Sequence, residues 1–192
     1  MCLKRRKKAA LCAILSAIML SSSTPQINIS VFANTPITET EALSQAVELY
    51  EQLTDSEVEI PEGLDALELD ADTLKAIVLG YVNFEDTEES LQETSIRKQD
   101  FVTILYKTVI SYNDSYTIYE DEANSILNEC YDNAYIDEEN RIAYAFMMKQ
   151  GIITKKFGSE PNKELTKEEC ETLVSTIYDY FAQNVVIRVG EN

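Results

Sequence analysis

The chain has 192 residues, with 34 Asp and Glu against 16 Lys and Arg, no histidine and no tryptophan, and a formal net charge of -18. Such an acidic balance disfavours nucleic acid and a bare anionic membrane surface, because each phosphate contact needs a cation. Without histidine the commonest general base and metal ligand is missing.

The N-terminus reads as a secretory signal peptide. A basic head, "KRRKK" at Lys4–Lys8, precedes the apolar run "AALCAILSAIML" and a polar stretch ending in "VFA" at Val31–Ala33. Small residues at the -3 and -1 positions complete the pattern, and cleavage is expected after Ala33. The apolar run is too short to cross a bilayer, which takes a helix of about 20 residues. Cys12 sits inside it, followed by apolar residues, and does not read as a lipid-anchor cysteine. Cleavage would remove the five basic side chains of Lys4–Lys8 and no acidic one, so the chain from Asn34 onward is more acidic still, at -23. Its length suits one domain, and its charge keeps a secreted protein soluble.

Helical periodicity then recurs along the chain. Leu43, Ala46, Val47, Tyr50 and Leu53 form one stripe, ended by the turn-like "DSEVEIPEG". Leu74, Ile77, Val78 and Tyr81 form a second, with Gly80 near its end, and Phe101, Ile104, Leu105, Thr108 and Val109 a third. A less regular helical segment is expected over Ser125–Ala134. "IAYAFMM" at Ile142–Met148 is apolar all round, the mark of a buried helix, and Gly151 stops it. Met147 and Met148 there read as core filling. The last helix carries Cys170, Leu173, Val174, Ile177, Tyr178 and Phe181, and only "VVIRV" near the end hints at a strand. Cys130 and Cys170 occupy apolar helical positions and read as buried thiols, although an oxidising exterior also permits a disulfide. The expected fold is all-α, a small helical domain.

Sliding the sequence along itself until Ile96 meets Leu165 superposes Ile96–Tyr112 on Leu165–Phe181, so that Lys98 meets Lys167 and Asp100 meets Glu169. The stripe at Phe101, Ile104 and Leu105 recurs at Cys170, Leu173 and Val174, and both are expected to face one shared interior. Gly80 and Gly151 each close the preceding apolar helix, giving a unit of helix, glycine, loop and capped helix that occurs about twice. In the second copy Thr166 and Glu169 have capping-box spacing, with Leu165 placed as a hydrophobic staple. In the first copy Arg97 stands at the threonine position, so that side-chain cap is expected to be missing.

"GIITKKFGSEPNKELTKEECETLVSTIY" resembles a bacterial S-layer homology (SLH) repeat. The resemblance rests on Gly151-Ile152-Ile153, Phe157, Pro161-Asn162 and Leu165-Thr166-Lys167-Glu168-Glu169 in that order, with Tyr119-Glu120-Asp121 resembling the aromatic-x-Asp opening. It divides the chain into a signal peptide (1–33), an N-terminal helix and linker (34–64), an SLH-like pair of repeats (65–182, with 119–182 the closer match and 65–112 the weaker) and a tail (183–192). Family members commonly pack three repeats as a pseudo-threefold prism whose grooves hold anionic, often pyruvylated, cell-wall polysaccharide. This chain shows two copies, puts lysine in the motif arginine slot at Lys98 and Lys167, lacks tryptophan and has an eroded glycine-rich loop. Lysine keeps the charge but not the bidentate fork of arginine. The third place is left open, between the helix around Leu43–Leu53 and another chain.

The resemblance implies a secreted, cell-wall-associated protein that binds an anionic glycan non-covalently; the alternative is a degenerate SLH-like scaffold that binds another surface protein. The implied glycan-binding residues are Arg97, Lys98, Asp121, Lys155, Lys156, Thr166 and Lys167. The lysines between Gly151 and Glu169 read either as an anion site at a helix N-terminus or as solvated charge offsetting Glu160, Glu164, Glu168 and Glu169. No catalytic residues, metal site or cofactor are expected: neither cysteine has a histidine partner, and "DNAYIDEEN" lacks the glycine and ligand spacing of an EF-hand loop. Nor is nucleic acid, or a membrane span after signal cleavage, expected. Tyrosines such as those of "SYNDSYTIYEDE" read as rings at the rim of a helical core, with sugar stacking the other use.

Overall fold

A computed structural model describes residues 35–64, 67, 69–82, 94–154 and 159–189, with side chains described as far as 182. The fold is all-α. Six α-helices run in order: α1 (Glu39–Thr54), α2 (Ala71–Val78), α3 (Lys98–Tyr112), α4 (Glu120–Leu127), α5 (Arg141–Lys149) and α6 (Lys167–Val189), with no strand among the described residues. Short 3-10 turns at Asp114–Tyr116, Asn133–Tyr135 and Glu138–Asn140 join the later helices. The helical segment expected over Ser125–Ala134 lies earlier, as α4, because Asn128 closes that helix and the chain turns at Asn133–Tyr135. "VVIRV" is not a strand; it continues α6 to Val189, so the expected tail is mostly helix.

Three long helices begin at one closed ring of backbone. Ile37 N–H donates to the Leu165 carbonyl (2.9 Å), Leu165 N–H to Ile96 (2.9 Å) and Ile96 N–H to Ile37 (3.3 Å). A second cyclic set runs from Glu39 N–H to Thr94 (3.1 Å), Lys98 N–H to Lys163 (2.9 Å) and Lys167 N–H to Thr35 (3.1 Å). Bridges Pro36–Thr166, Thr38–Ser95 and Arg97–Glu164 repeat the same pattern. The first amides of a helix have no intrahelical acceptor; here the first residue of each long helix donates to the segment before a neighbouring helix. Residues 36–41, 95–100 and 164–169 are thereby equivalent. The segment that opens α1 is the third member of this ring.

Below the ring, α1 packs against α2, α3 and α6, and α3 against α5. Phe101, Phe146, Phe181, Leu43, Leu105, Met147 and Ile177 are fully buried between them. Phe181 stacks on Phe146 at 6.4 Å and meets Tyr116 edge-on at 4.7 Å. Met147 and Met148 are core residues, and Cys130 and Cys170 are buried free thiols. Helices α2 and α5 end alike. Tyr81 N–H reaches the Ala76 carbonyl and Ile152 N–H that of Met147, each at 2.9 Å, around Gly80 (φ +70°) and Gly151 (φ +76°). These are Schellman closures, and the left-handed φ is why glycine stands there.

The two outer helices are pinned at equivalent points. Ser44 on α1 donates to Asp72 of α2, and Thr103 on α3 donates to Asn140 beside α5, both at 2.6 Å. The equivalent residue on α6, Thr172, instead turns back to the Glu168 carbonyl and is exposed. Glu171, Ser175 and Asp179 are exposed with it, a water-facing surface where the other two long helices carry a covering helix. Leu173 and Val174, expected in the shared interior, are consequently only half-buried, whereas Leu105 is fully enclosed.

Candidate functional site

The ring sets three equivalent positions, one at the start of each long helix: Glu39, Lys98 and Lys167. Each faces the carboxylate that stands two residues into the next helix around the ring. The pairs are Glu39 with Asp100, Lys167 with Glu41, and Lys98 with Glu169.

The caps differ in the way the sequence indicates. Thr166 Oγ1 accepts from Glu169 N–H (3.3 Å) while the Glu169 carboxylate accepts from Thr166 N–H (3.2 Å), a complete capping box. Thr38 and Glu41 form a second one on α1. Arg97 makes no side-chain cap. Its guanidinium instead holds Asp100 through two bonds (2.7 and 2.9 Å) and reaches Asp137 at 2.8 Å. Asn140 donates to the same Asp100 carboxylate (3.0 Å), and buried Gln99 ties Asp137 to Asn162. Arg97 thus ties the start of α3 to the turns that precede α5 and α6.

The first junction is a groove of about 470 Å³ lined by Glu39, Arg97, Asp100, Thr103, Lys107 and Asn140, among others. Half-burial, with Asp100 beside it, pushes the Glu39 carboxyl above its ordinary value. The second, of about 260 Å³, holds Lys167 on Glu41 at 2.5 Å. The hydrogen bond from Lys167 pulls the Glu41 carboxyl down. At the third junction Lys98 is half-buried, and desolvation lowers its ammonium below the usual lysine value. Glu169, Glu160, Lys163 and Asp132 are the charges around it. Lys163 takes the Glu169 carboxylate at 2.6 Å. Among the described residues Lys98 forms no ion pair within 4 Å.

Of the candidate glycan-binding residues, Arg97, Lys98, Thr166 and Lys167 all lie on the ring but at separate junctions, Arg97 at the first, Lys167 at the second, and Lys98 with Thr166 at the third. Asp121 does not join them: it is exposed on the first turn of α4, which packs on α5. Lys155 and Lys156 lie outside the described residues. Tyr119, likened to a repeat-opening aromatic, is 81% exposed, and the buried residue there is Ile118. Reading the sequence as two copies missed Glu39 and Glu41. Their signal was present, since "ITETE" at Ile37–Glu41 matches "LTKEE" at Leu165–Glu169 in the apolar residue, the threonine and the final glutamate.

Compared with known protein families, curated proteins and solved structures, the chain matches none.

These charges set opposite acid responses. Glu41 and Glu51 are held low mainly by hydrogen bonds from Lys167 and Lys75. Burial pushes Asp70 and Glu169 up, but hydrogen bonds from Thr73, and from Lys163 and Thr166, outweigh it. Carboxyls lowered by folding stabilise above their unfolded pKa and lose that stabilisation as pH falls through the folded value. Glu39 is raised, so its charge opposes folding at neutral pH and the opposition fades on acidification. Glu39→Gln should raise the melting temperature at pH 7, with the gain shrinking to nothing below the ordinary glutamate value of 4.5. Melting curves across that range check it; a gain that persists in acid would contradict it.

Proposed function

We propose that this is a secreted SLH-like protein that binds an anionic cell-wall polysaccharide non-covalently, through the junction at Lys98. The observation that carries the reading is the half-buried Lys98 ammonium at the start of α3, without an ion pair among the described residues, whereas Lys75, Lys149, Lys163 and Lys167 are paired with carboxylates. A desolvated cation at a helix N-terminus interacts strongly with an incoming anion, because helix dipole and side-chain charge add. The cyclic arrangement of three helix starts supports the SLH likeness independently of the single motif. No catalytic role is proposed.

The protein should therefore sediment with purified, protein-free bacterial cell wall, and rising salt should release it in part, since half-buried charge contacts are screened less than exposed ones. Hydrogen bonds to charged groups contribute about 1.5–3 kcal/mol, so Lys98→Gln should weaken binding roughly tenfold or more. Lys149→Gln, on α5, should bind as wild type. A wild type that stays in the supernatant would contradict the reading.

One observation favours the scaffold alternative. Tyr119, Tyr131 and Tyr135 are 81%, 70% and 61% exposed, and tyrosine is enriched where proteins meet. Under that reading no wall is bound, and Tyr131→Ala with Tyr135→Ala abolishes capture of a surface protein that Lys98→Gln leaves intact.

A further inference from the structure

The three junctions share one backbone geometry but not one charge arrangement, and the difference bears on how many anionic groups a molecule accepts. At the second junction the Lys167 ammonium already carries a carboxylate, that of Glu41, at 2.5 Å. Glu41 is held there from its other side, because its carboxylate also accepts from Thr38 N–H (3.1 Å) as half of a capping box. At the first junction the lysine position is Glu39, next to Asp100 and without an ion pair among the described residues. At the third the helix-start cation, Lys98, has no ion pair among the described residues, since Glu169 is drawn to Lys163.

We infer that Glu41 is an intramolecular stand-in for the ligand's anion, masking the Lys167 junction. Glu39 opposes an anion at the first helix start, so of the three helix starts only that of α3, at Lys98, is left open to one. The inference rests on the polysaccharide-binding reading and adds a specificity determinant to it. A carboxylate fixed by its own cap competes with an external anion without losing conformational freedom, so masking persists although both partners are partly exposed. Neutralising Glu41 leaves the lysine, the helix start and the backbone ring in place. Glutamine is also an accepted third residue of a capping box, so Glu41→Gln keeps the fold.

The experiment starts from a variant whose binding is weakened. Protein-free bacterial cell wall is titrated with wild type, Lys98→Gln, Lys98→Gln/Glu41→Gln, and the triple variant with Lys167→Gln added. Lys98→Gln should lose about tenfold or more of the wild-type affinity. Adding Glu41→Gln should restore at least half of that loss on a logarithmic scale, and adding Lys167→Gln should remove it again. Lys98→Gln/Glu48→Gln makes the same change in net charge on an exposed part of α1 and should restore nothing. Recovery of binding cannot come from misfolding. If wild type binds and Lys98→Gln binds more weakly, but Glu41→Gln fails to restore binding or Glu48→Gln restores it equally, masking by Glu41 is wrong. If wild type does not bind, or Lys98→Gln binds unchanged, the functional reading fails and the inference falls with it.

Discussion

Leu105→Ala should lower the unfolding free energy by about 2–5 kcal/mol, and Leu173→Ala by clearly less. The two leucines sit on equivalent helices one position apart in the repeat register, and sequence periodicity alone treats both as core. Leu105 is fully enclosed, on a helix with α1 on one side and α5 on the other. Truncating it leaves a cavity that the surrounding helices cannot close, so the loss of apolar transfer and of packing add. Leu173 is half-buried on α6, whose outer face carries Glu171, Thr172, Ser175 and Asp179 toward water. A cavity beside an open flank fills with solvent or relaxes. Urea unfolding of both variants, with slopes compared to exclude a change in the unfolded state, measures the difference. Equal losses would contradict the uncovered face of α6.

A chain beginning at Glu39 should lose cooperative folding, although it keeps every residue of α1 as a helix. Compared with a chain beginning at Asn34, it lacks the Thr35 and Ile37 carbonyls, the Ile37 N–H and the Thr38 cap. Leu165, Ile96 and Lys167 would each lose a backbone partner within the ring. Leaving a sequestered donor or acceptor unpaired costs about 1–3 kcal/mol each. Loss of the cap adds about 1 kcal/mol, and buried Ile37 is lost as well. Together these approach the whole stability of an ordinary domain, about 5–15 kcal/mol. Thr38→Ala alone should cost only about 1 kcal/mol. Calorimetry distinguishes the two: a single sharp transition surviving in the truncated chain would show that the ring does not depend on residues 35–38.

Much of the helical content was legible because burial imposes a period. The stripes at Leu43–Leu53 and Phe101–Val109 place apolar side chains one turn apart, Ile142–Met148 is apolar throughout, and Gly80 and Gly151 supply the left-handed φ that ends a helix. "VVIRV" misled because β-branched residues suit strands locally, while α6 continues through them. The threefold ring was not legible as a whole. Its bonds are backbone bonds between segments far apart in the chain and leave no side-chain pattern beyond an apolar residue before each helix start, Ile37, Ile96 and Leu165. For the candidate site, the positions of Lys98 and Lys167 and one capping box were readable in advance. The difference between the two lysines was not, because Glu41, which pairs with Lys167, lies far away at the other end of the described chain. The role of Arg97 was also hidden, since its partner Asp137 belongs to a turn with no repeat signature.

The proposed function requires that an anionic polysaccharide touch the molecule at the Lys98 junction. Amide spectra of the isotope-labelled protein, titrated with soluble fragments of cell-wall polysaccharide, locate that contact directly. The account predicts shifts concentrated at Lys98, Gln99, Lys163 and Glu169, absent in Lys98→Gln and small at Lys167. Shifts gathered on Tyr119, Tyr131 and Tyr135 with none at the ring would contradict it.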